Sequence, residues 1–567
     1  MKKLFSLFLL VLLVLPTFAG GNRQTGTSTG SVSTAGGLPL TTEDVTFSVF
    51  IAGGLANSVT SFDYKDNAFT KKITDETGIK LDIISSSDAD ANTRLNAMLA
   101  SGQYPDIILT GYTGFGSINN LTYWGSQGIL IPLDKYNIKS YPNIKKVLDE
   151  YPAADQRIRG ADGHIYGLPY VNDCLHCIYS YGRAWYHMPF LRDNNRKVPE
   201  TIAEFTDYLR WVRDNDVNKN GNRNDEIPIA FSAPNLRQFI SFISKAYMPF
   251  IFTSDHFGLG LNKGRVWEQY REKEFRQALA TMAGWYKEGL IAPNSFTMTD
   301  EQVRNVIHNE PAVVGVHFWA WNGARQPSAR WAETFHLKPL AGPAGQRNSG
   351  NSDPWSILDV RMVITDKCKD PVLAIAWYDY CLNFEVQMAG YIGPKGEAWG
   401  APDPGSRSLK GATPLYKLLT TFGGQQINSS WNQMNPLYQS AEFRLGEQAA
   451  EFETAQKWWE TGDPSLRDRI AANSSYNEIN NYYYANADVP WTIPTEYFIP
   501  PVALNDADND RVSDINSVLN PYLDQAISEF ITGSKDINND SAWNAFLSEL
   551  DRIGAKDRTA IYQKYIK

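Results

Sequence analysis

The sequence predicts an α/β protein with a helical C-terminal region, and three observations carry that reading. Strand-like and helix-like stretches alternate near the start. The middle and the end turn progressively helical. Beyond the N-terminal leader no run reaches the roughly 18 apolar residues that a membrane helix needs.

In chain order, Asp44 to Ile51 alternates apolar and polar residues, as a half-buried strand does. Ala68 to Thr77 has helical spacing and ends at Gly78. Ile79 to Ile84 alternates again, and Asn92 to Ala100 is helical until Gly102 stops it. Tyr104 to Leu109 reads as a short buried strand, which completes the pattern of a parallel or mixed sheet. From Pro199 helices dominate: Ile202 to Arg213, then Phe275 to Glu288, closed by Gly289. Ile364 to Asn383 reads as a strand end and a helix that starts near Pro371. After Asn505 two helices are expected, Asp510 to Ile531 and Ser541 to Ile553, followed by a frayed tail.

A chain of 567 residues is long enough for two or three domains or two large lobes. Its 62 acidic residues outnumber 53 Lys and Arg, a formal charge of −9. That balance argues against nucleic acid as a partner, since phosphate binding needs a basic face. Aromatic residues reach 13%, with 16 Trp and 29 Tyr, and flat rings are what sugars stack on.

Lys2 and Lys3 precede an apolar run from Leu4 to Leu15, broken by Pro16, and Thr17-Phe18-Ala19 offers a cut after Ala19. This is a secretory signal, residues 1–19, rather than a membrane span. No Cys follows it in Ala19-Gly20-Gly21, so a lipid-anchoring cysteine is not expected and the mature chain should be soluble and periplasmic or extracellular. Residues 20–40 are rich in Gly, Ser and Thr and read as a flexible linker. Four cysteines then sit in an oxidising compartment. Cys174-Leu-His-Cys177 is read as a local disulfide or a pair of buried thiols. It lacks the second CxxC of a zinc ribbon. Cys368 and Cys381 are placed on one helix, with no mutual bridge.

Several linked stretches resemble extracellular solute-binding proteins that serve carbohydrate ABC importers. They are Thr77 to Lys80, Ser101 to Asp106, Gly128 to Asp134, Asp162 to Pro169, Tyr286 to Ile291, Asp366 to Glu385 and Trp543 to Lys567, in the same order. The resemblance implies a two-lobed periplasmic-binding-protein fold with crossing hinge segments. The N-terminal lobe is expected from 41–167 plus 335–400, the C-terminal lobe from 168–334 plus 401–567. It also implies a monomer that captures an oligosaccharide and delivers it to the permease subunits of the importer, with no catalytic residues.

The sharpest chemical motif is a calcium loop. Asp216, Asn218 and Asn220 stand at positions 1, 3 and 5 before Gly221, and Asn222 would offer its backbone carbonyl at position 7. Asp225 and Glu226 follow at positions 10 and 11, so the loop departs from a standard EF-hand. Asp225-Glu226-Ile227-Pro228 resembles the ending of the family's own loop, with one extra residue after the glycine. Whether Asn224 or Asp225 is the ligand stays open. The ion would be structural. Asp506-Ala-Asp508-Asn-Asp510 lacks the glycine and reads as a solvated loop and helix cap.

Candidate carbohydrate contacts are Trp319 and Trp321 beyond the apolar run Ala312 to Val316, and Trp355 and Trp399 in Gly/Pro-rich stretches. Arg183, Trp185 and Tyr112 follow strand-like runs, where ligands favour open α/β sheets. Core packing is the competing explanation for each Trp. Trp285, Trp377, Trp458 and Trp543 share helical spacing with apolar neighbours and are assigned to the core. The alternative function is a secreted calcium-dependent carbohydrate-active enzyme, a glycoside hydrolase or lyase. It would use the same leader, aromatics and metal loop, plus a carboxylate pair.

Overall fold

The computed structural model describes residues 37–52, 63–111, 113–179, 181–253, 255–319, 329–350, 357–420, 426–449, 457–458, 461–471 and 488–566. Two sheets, each wrapped in its own core, define two lobes. The first has strand order β14-β4-β11-β3-β1-β2 and the second β10-β5-β9-β6.

In the first lobe β1 (Val45–Ala52) lies between β2 (Ile79–Ser86) and β3 (Ile107–Leu109), parallel to both. The crossovers are helices α1 (Ala68–Thr77) and α2 (Asp88–Ser101). Asn67 caps α1 by accepting from Phe69 N, while its own amide donates to Ser430 O and ties the cap to a distant loop. Gly78 ends α1 at φ 77°, and a Cβ there would stand 2.2 Å from Thr41 O, so only glycine fits. β11 (Leu358–Ile364) returns antiparallel to β3 and to β4 (Gly167–Asn172), and β14 (Tyr438–Gln439) closes the far edge parallel to β4.

The second lobe sets β5 (Ala184–His187) antiparallel to both β9 (Val314–Phe318) and β10 (Thr334–Leu337), with β6 (Ile227–Ala230) parallel to β9 at the edge. A hairpin, β7 (Leu259–Asn262) and β8 (Arg265–Glu268), stands apart. Helices α3 (Ile118–Ser126) of the first lobe and α4 (Ile202–Asp214) and α5 (Lys273–Lys287) of the second complete the local frame. α4 starts in a capping box between Thr201 and Glu204. In the first lobe α6 (Pro371–Cys381) packs behind β11. The chain closes with α7 (Asp506–Thr532), α8 (Asp540–Ile553) and α9 (Ala555–Tyr565).

Expected lobe boundaries shift by a few strands. β4 continues to Asn172 inside the first sheet, because its backbone pairs with β11, so 168–172 belong to the first lobe. β10 pairs with β5, which keeps 335–337 in the second. Residues 401–420 and 426–449 pack on the first lobe. There β12 (Trp399–Gly400) pairs with β13 (Lys417–Leu418), and Trp399, Tyr416, Leu437 and Phe443 share one core. The tail expected to fray is α9, anchored by Ala555 and Ile561 in apolar clusters and by Arg558 donating to Tyr270 Oη at 2.7 Å. Cys368 lies before α6 rather than on it; it and Cys381 are buried free thiols. Asp506 and Asp508 lie in the first turn of α7 and Asp510 just beyond it; Asn505 accepts from Asp508 N, and Lys564 and Tyr565 donate to Asp508.

Candidate functional site

Between described strands the chain passes from the first lobe to the second after Asn172 of β4, entering β5 at Ala184, and leaves the second lobe after Leu337 of β10 for β11 at Leu358. A short helix, Leu175–Ile178, sits on the first of these crossings, and Cys174 and Cys177 close a disulfide across it. Arg444 donates to Cys174 Sγ at 3.3 Å. At this crossing the lobes part to leave a cleft of about 1060 Å³.

The cleft has two walls and a floor. The first lobe supplies Asn119 at the start of α3, Arg157, Tyr170 and Asn172 of β4, and Asp359 of β11. The second supplies Ile251, Asp255, His256, the Phe498–Leu504 strap, one face of α7 and Tyr562. Cys177, Tyr181 and Ile357 of the crossings form the floor. Asn119 bonds both ways across the mouth. Its amide donates to Asn509 Oδ1 at 3.0 Å, and its oxygen accepts from Leu504 N at 2.9 Å.

Few charges stand in this space. Arg157 reaches Asp359 at 3.4 Å and donates to Leu358 O. Desolvation raises the Asp359 carboxyl, opposed by Arg157. Burial pushes the His256 imidazole down to about 4, so it is neutral at physiological pH despite Asp255 beside it. Asn172 lines the cleft, and its Oδ1 is buried with no hydrogen-bond partner among the described residues.

The candidate contacts from sequence lie elsewhere or outside the described residues. Tyr112, Trp321 and Trp355 are in the latter group. None of Arg183, Trp185, Trp319 and Trp399 lines the cleft. Trp185 donates from Nε1 to Trp319 O at 3.1 Å, Arg183 lies over the Trp185 ring, and Arg304 covers Trp319. Burial holds the Arg183 guanidinium down to about 10. Trp399 donates to Gly393 O and is enclosed by Phe384 and its neighbours. The Trp185 and Trp399 indoles thus have their N–H groups satisfied by backbone, and all three rings are almost wholly buried, the pattern of lobe packing. Trp285, Trp377, Trp458 and Trp543 are buried as assigned. The cleft aromatics that sequence reasoning passed over are Tyr170, Tyr181, Phe498 and Tyr562. The one available signal was the Asn/Ser face of α7.

The Asp216 loop joins α4 to β6 on the second lobe. Asp216 accepts from Asn220 N and Gly221 N, and Asn218 Oδ1 also accepts from Asn220 N. Asn220 Oδ1 accepts from Asn222 N, and Asn218 donates to Ala312 O just before β9. Gly221 turns the loop at φ 88°. Glu226 Oε1 accepts from Val217 N, while Glu226 Oε2 and Asp225 Oδ1 are buried without partners among the described residues. Among the described residues no three His, Cys, Asp or Glu side chains gather as a metal cluster; half of this loop's donors are amides.

A pair of lobes joined by crossing segments, with a deep polar cleft at the junction, defines a ligand-capturing protein rather than a scaffold. The model of the bacterial extracellular solute-binding proteins matches residues 67–397, and the chain belongs to that family. The fructooligosaccharide ABC transporter substrate-binding protein FusA of Streptococcus pneumoniae serotype 4 is 25% identical over 521 residues, 89% of this chain and 87% of that protein. The solved structure of an S. pneumoniae FusA EF-hand mutant in complex with fructo-nystose aligns with a TM-score of 0.70 at 21% identity, covering 92% of this chain and 98% of that one. An HMO-binding, ABC-transporter-associated solute-binding protein from Bifidobacterium longum infantis aligns at 0.71 with 17% identity and the same coverage, 92% and 98%. These structures share the two-lobed fold. Among the described residues no helix is long and apolar enough to cross a membrane.

Proposed function

We propose that the protein captures an oligosaccharide in the cleft between its lobes and, acting as a monomer outside the cytoplasm, hands it to the permease subunits of an ABC importer. The observation that carries this reading is the cleft itself. It combines the partly exposed rings of Tyr181 and Tyr562, backed by the buried Tyr170 and Phe498, with neutral amides and hydroxyls. Rings cover the CH faces of a sugar, and Asn, Ser and carboxylate groups satisfy its hydroxyls. Family membership and the relationship to FusA support the same class of ligand.

Calorimetric titration of the purified protein against a glycan panel tests the proposal, with chromatography of each mixture after prolonged incubation. Stoichiometric binding with the glycan recovered intact is the expected result. Catalytic turnover of any glycan would transfer the protein to the carbohydrate-active enzymes.

The Asp216 loop fits calcium. Asp225 Oδ1 and Glu226 Oε2 are buried oxygens without partners among the described residues, which is what a hard cation accepts. Asp216, Asn218, Asn220, the Asn222 carbonyl, Asp225 and Glu226 would hold the ion, with Asn224 as the alternative to Asp225. The existence of an EF-hand mutant of FusA supports a site of this kind. Bound there, calcium would pin the end of α4 to β6 and β9 and act on stability rather than on sugar.

A further inference from the structure

Helix α7 shows two faces with different chemistry. Ile515, Leu519, Leu523 and Ala526 run into the second lobe's core. Asn509, Ser513, Asn516, Ser517 and Asn520 all line the cleft. At about 100° per residue these five fall within an arc of about 100°, so they form one stripe. From Asn509 to Asn520 that stripe runs about 16 Å, taking about 1.5 Å per residue. Pro521 lies inside the helix and has no N–H to offer the Ser517 carbonyl. Across the cleft, Asn172 Oδ1 is the buried acceptor without a partner among the described residues.

Every group on this stripe is uncharged. Among the described residues that line the cleft, Arg157 is the one cation at neutral pH, and it is tied to Asp359. Asp255 and Asp359 stand against it, so the described lining residues carry no net positive charge. A uronate chain would bring one carboxylate per sugar into that space, with no free cation among those lining residues to meet it.

We propose that the Asn/Ser stripe of α7 is a rail that seats a linear, uncharged oligosaccharide lengthwise in the cleft and excludes uronate polymers. This deepens the carbohydrate-binding reading and rests on it. The hydroxyls of successive sugar units exchange hydrogen bonds with successive turns of the helix, so affinity grows with chain length until the rail is covered. Ser513 and Asn520 make no side-chain hydrogen bonds to the protein among the described residues, which frees them for ligand.

The test titrates the full chain with fructo-oligosaccharides and malto-oligosaccharides of one to five units and with oligouronates of the same lengths. Asn520→Ala and Ser513→Ala are run beside the parent, with thermal unfolding of each. The expected result has three parts. In at least one neutral series affinity rises with length. Oligouronates bind at least about tenfold more weakly than neutral chains. Either substitution weakens the longer chains by about three- to tenfold with an unchanged melting temperature. Equal or tighter uronate binding, affinity flat with length, or variants that bind like the parent would overturn the rail while leaving carbohydrate capture in place. Failure of every sugar to bind, neutral or acidic, would instead remove the functional reading beneath it.

Discussion

Asn119 on α3 and Asn509 on α7 face each other across the cleft mouth, and the amide of the first donates to the oxygen of the second at 3.0 Å. Asn119 also accepts from Leu504 N, so one short side chain latches two separate pieces of the opposite lobe.

Asn119→Ala should therefore act on closure rather than on folding. Losing two hydrogen bonds of about 0.5–1.5 kcal/mol each favours the open form. Small-angle scattering of the ligand-free variant should report a larger radius of gyration, and its ligand affinity should fall several-fold. Unchanged scattering with unchanged affinity would show that the latch holds nothing.

Asp216→Ala should lower the melting temperature in calcium and abolish the drop that a chelator causes in the parent. The carboxylate accepts two backbone N–H groups of the turn, and no neutral loop residue replaces that charge. Sugar affinity per folded molecule should hold steady, because the loop sits at the α4–β6 junction and lines no part of the cleft. A variant that keeps the parent's chelator response would contradict the assignment.

Trp319→Ala and Trp399→Ala should each cost about 3–5 kcal/mol of folding stability, the usual cost of emptying a large aromatic site in a core. Both rings are almost wholly enclosed, at 2% and 3% exposure. Denaturant titration measures this directly. A loss below about 1 kcal/mol would mean that the rings are less tightly held than their burial implies.

Lys245 gives a pH signature. Its ammonium is buried, donates to Tyr181 O at 2.7 Å, and is held down to about 7 by desolvation, with Arg183 adding repulsion and Asp488 opposing both. In the unfolded chain the same lysine titrates near about 10.4. Between those values the unfolded state binds more protons, so this group's contribution to stability rises with pH and its penalty is fully present below about pH 7. The stability of the parent relative to Lys245→Met should climb from pH 7 to pH 10. A constant difference across that range would refute it.

Much of the fold could be read locally. α1 was delimited residue for residue because Gly78 must take a left-handed turn beside Thr41. Polar/apolar alternation marked β1 and β2, and the helices ending in glycine were found with their stops. Lobe boundaries were harder. Whether Gly167–Asn172 belongs to one lobe or the other depends on pairing with β11, a partner far away in sequence. The terminal helix α9 has weak apolar patterning and is fixed by Arg558 reaching Tyr270, which no local window contains. The Asp216 loop was legible because its oxygen-bearing residues stand close together in one stretch. The cleft was not, since its walls come from distant segments, and a conspicuous Trp such as Trp319 proved to be enclosed by Arg304 and Trp185. Plain Asn and Ser residues at helical spacing in α7 were the quieter clue.

The order of strands carries a consequence for the timing of synthesis. β1, β2 and β3 leave the ribosome early, yet their sheet cannot close until β11 arrives from the far side of an entire lobe. The second lobe waits longer still, because α7 and α8 fill its core from the last stretch of chain. Each such closure requires a long intervening segment to be ordered before contacts compensate, which slows folding. Neither lobe can be completed from a contiguous piece, so the growing chain stays threadable until nearly all of it has been made.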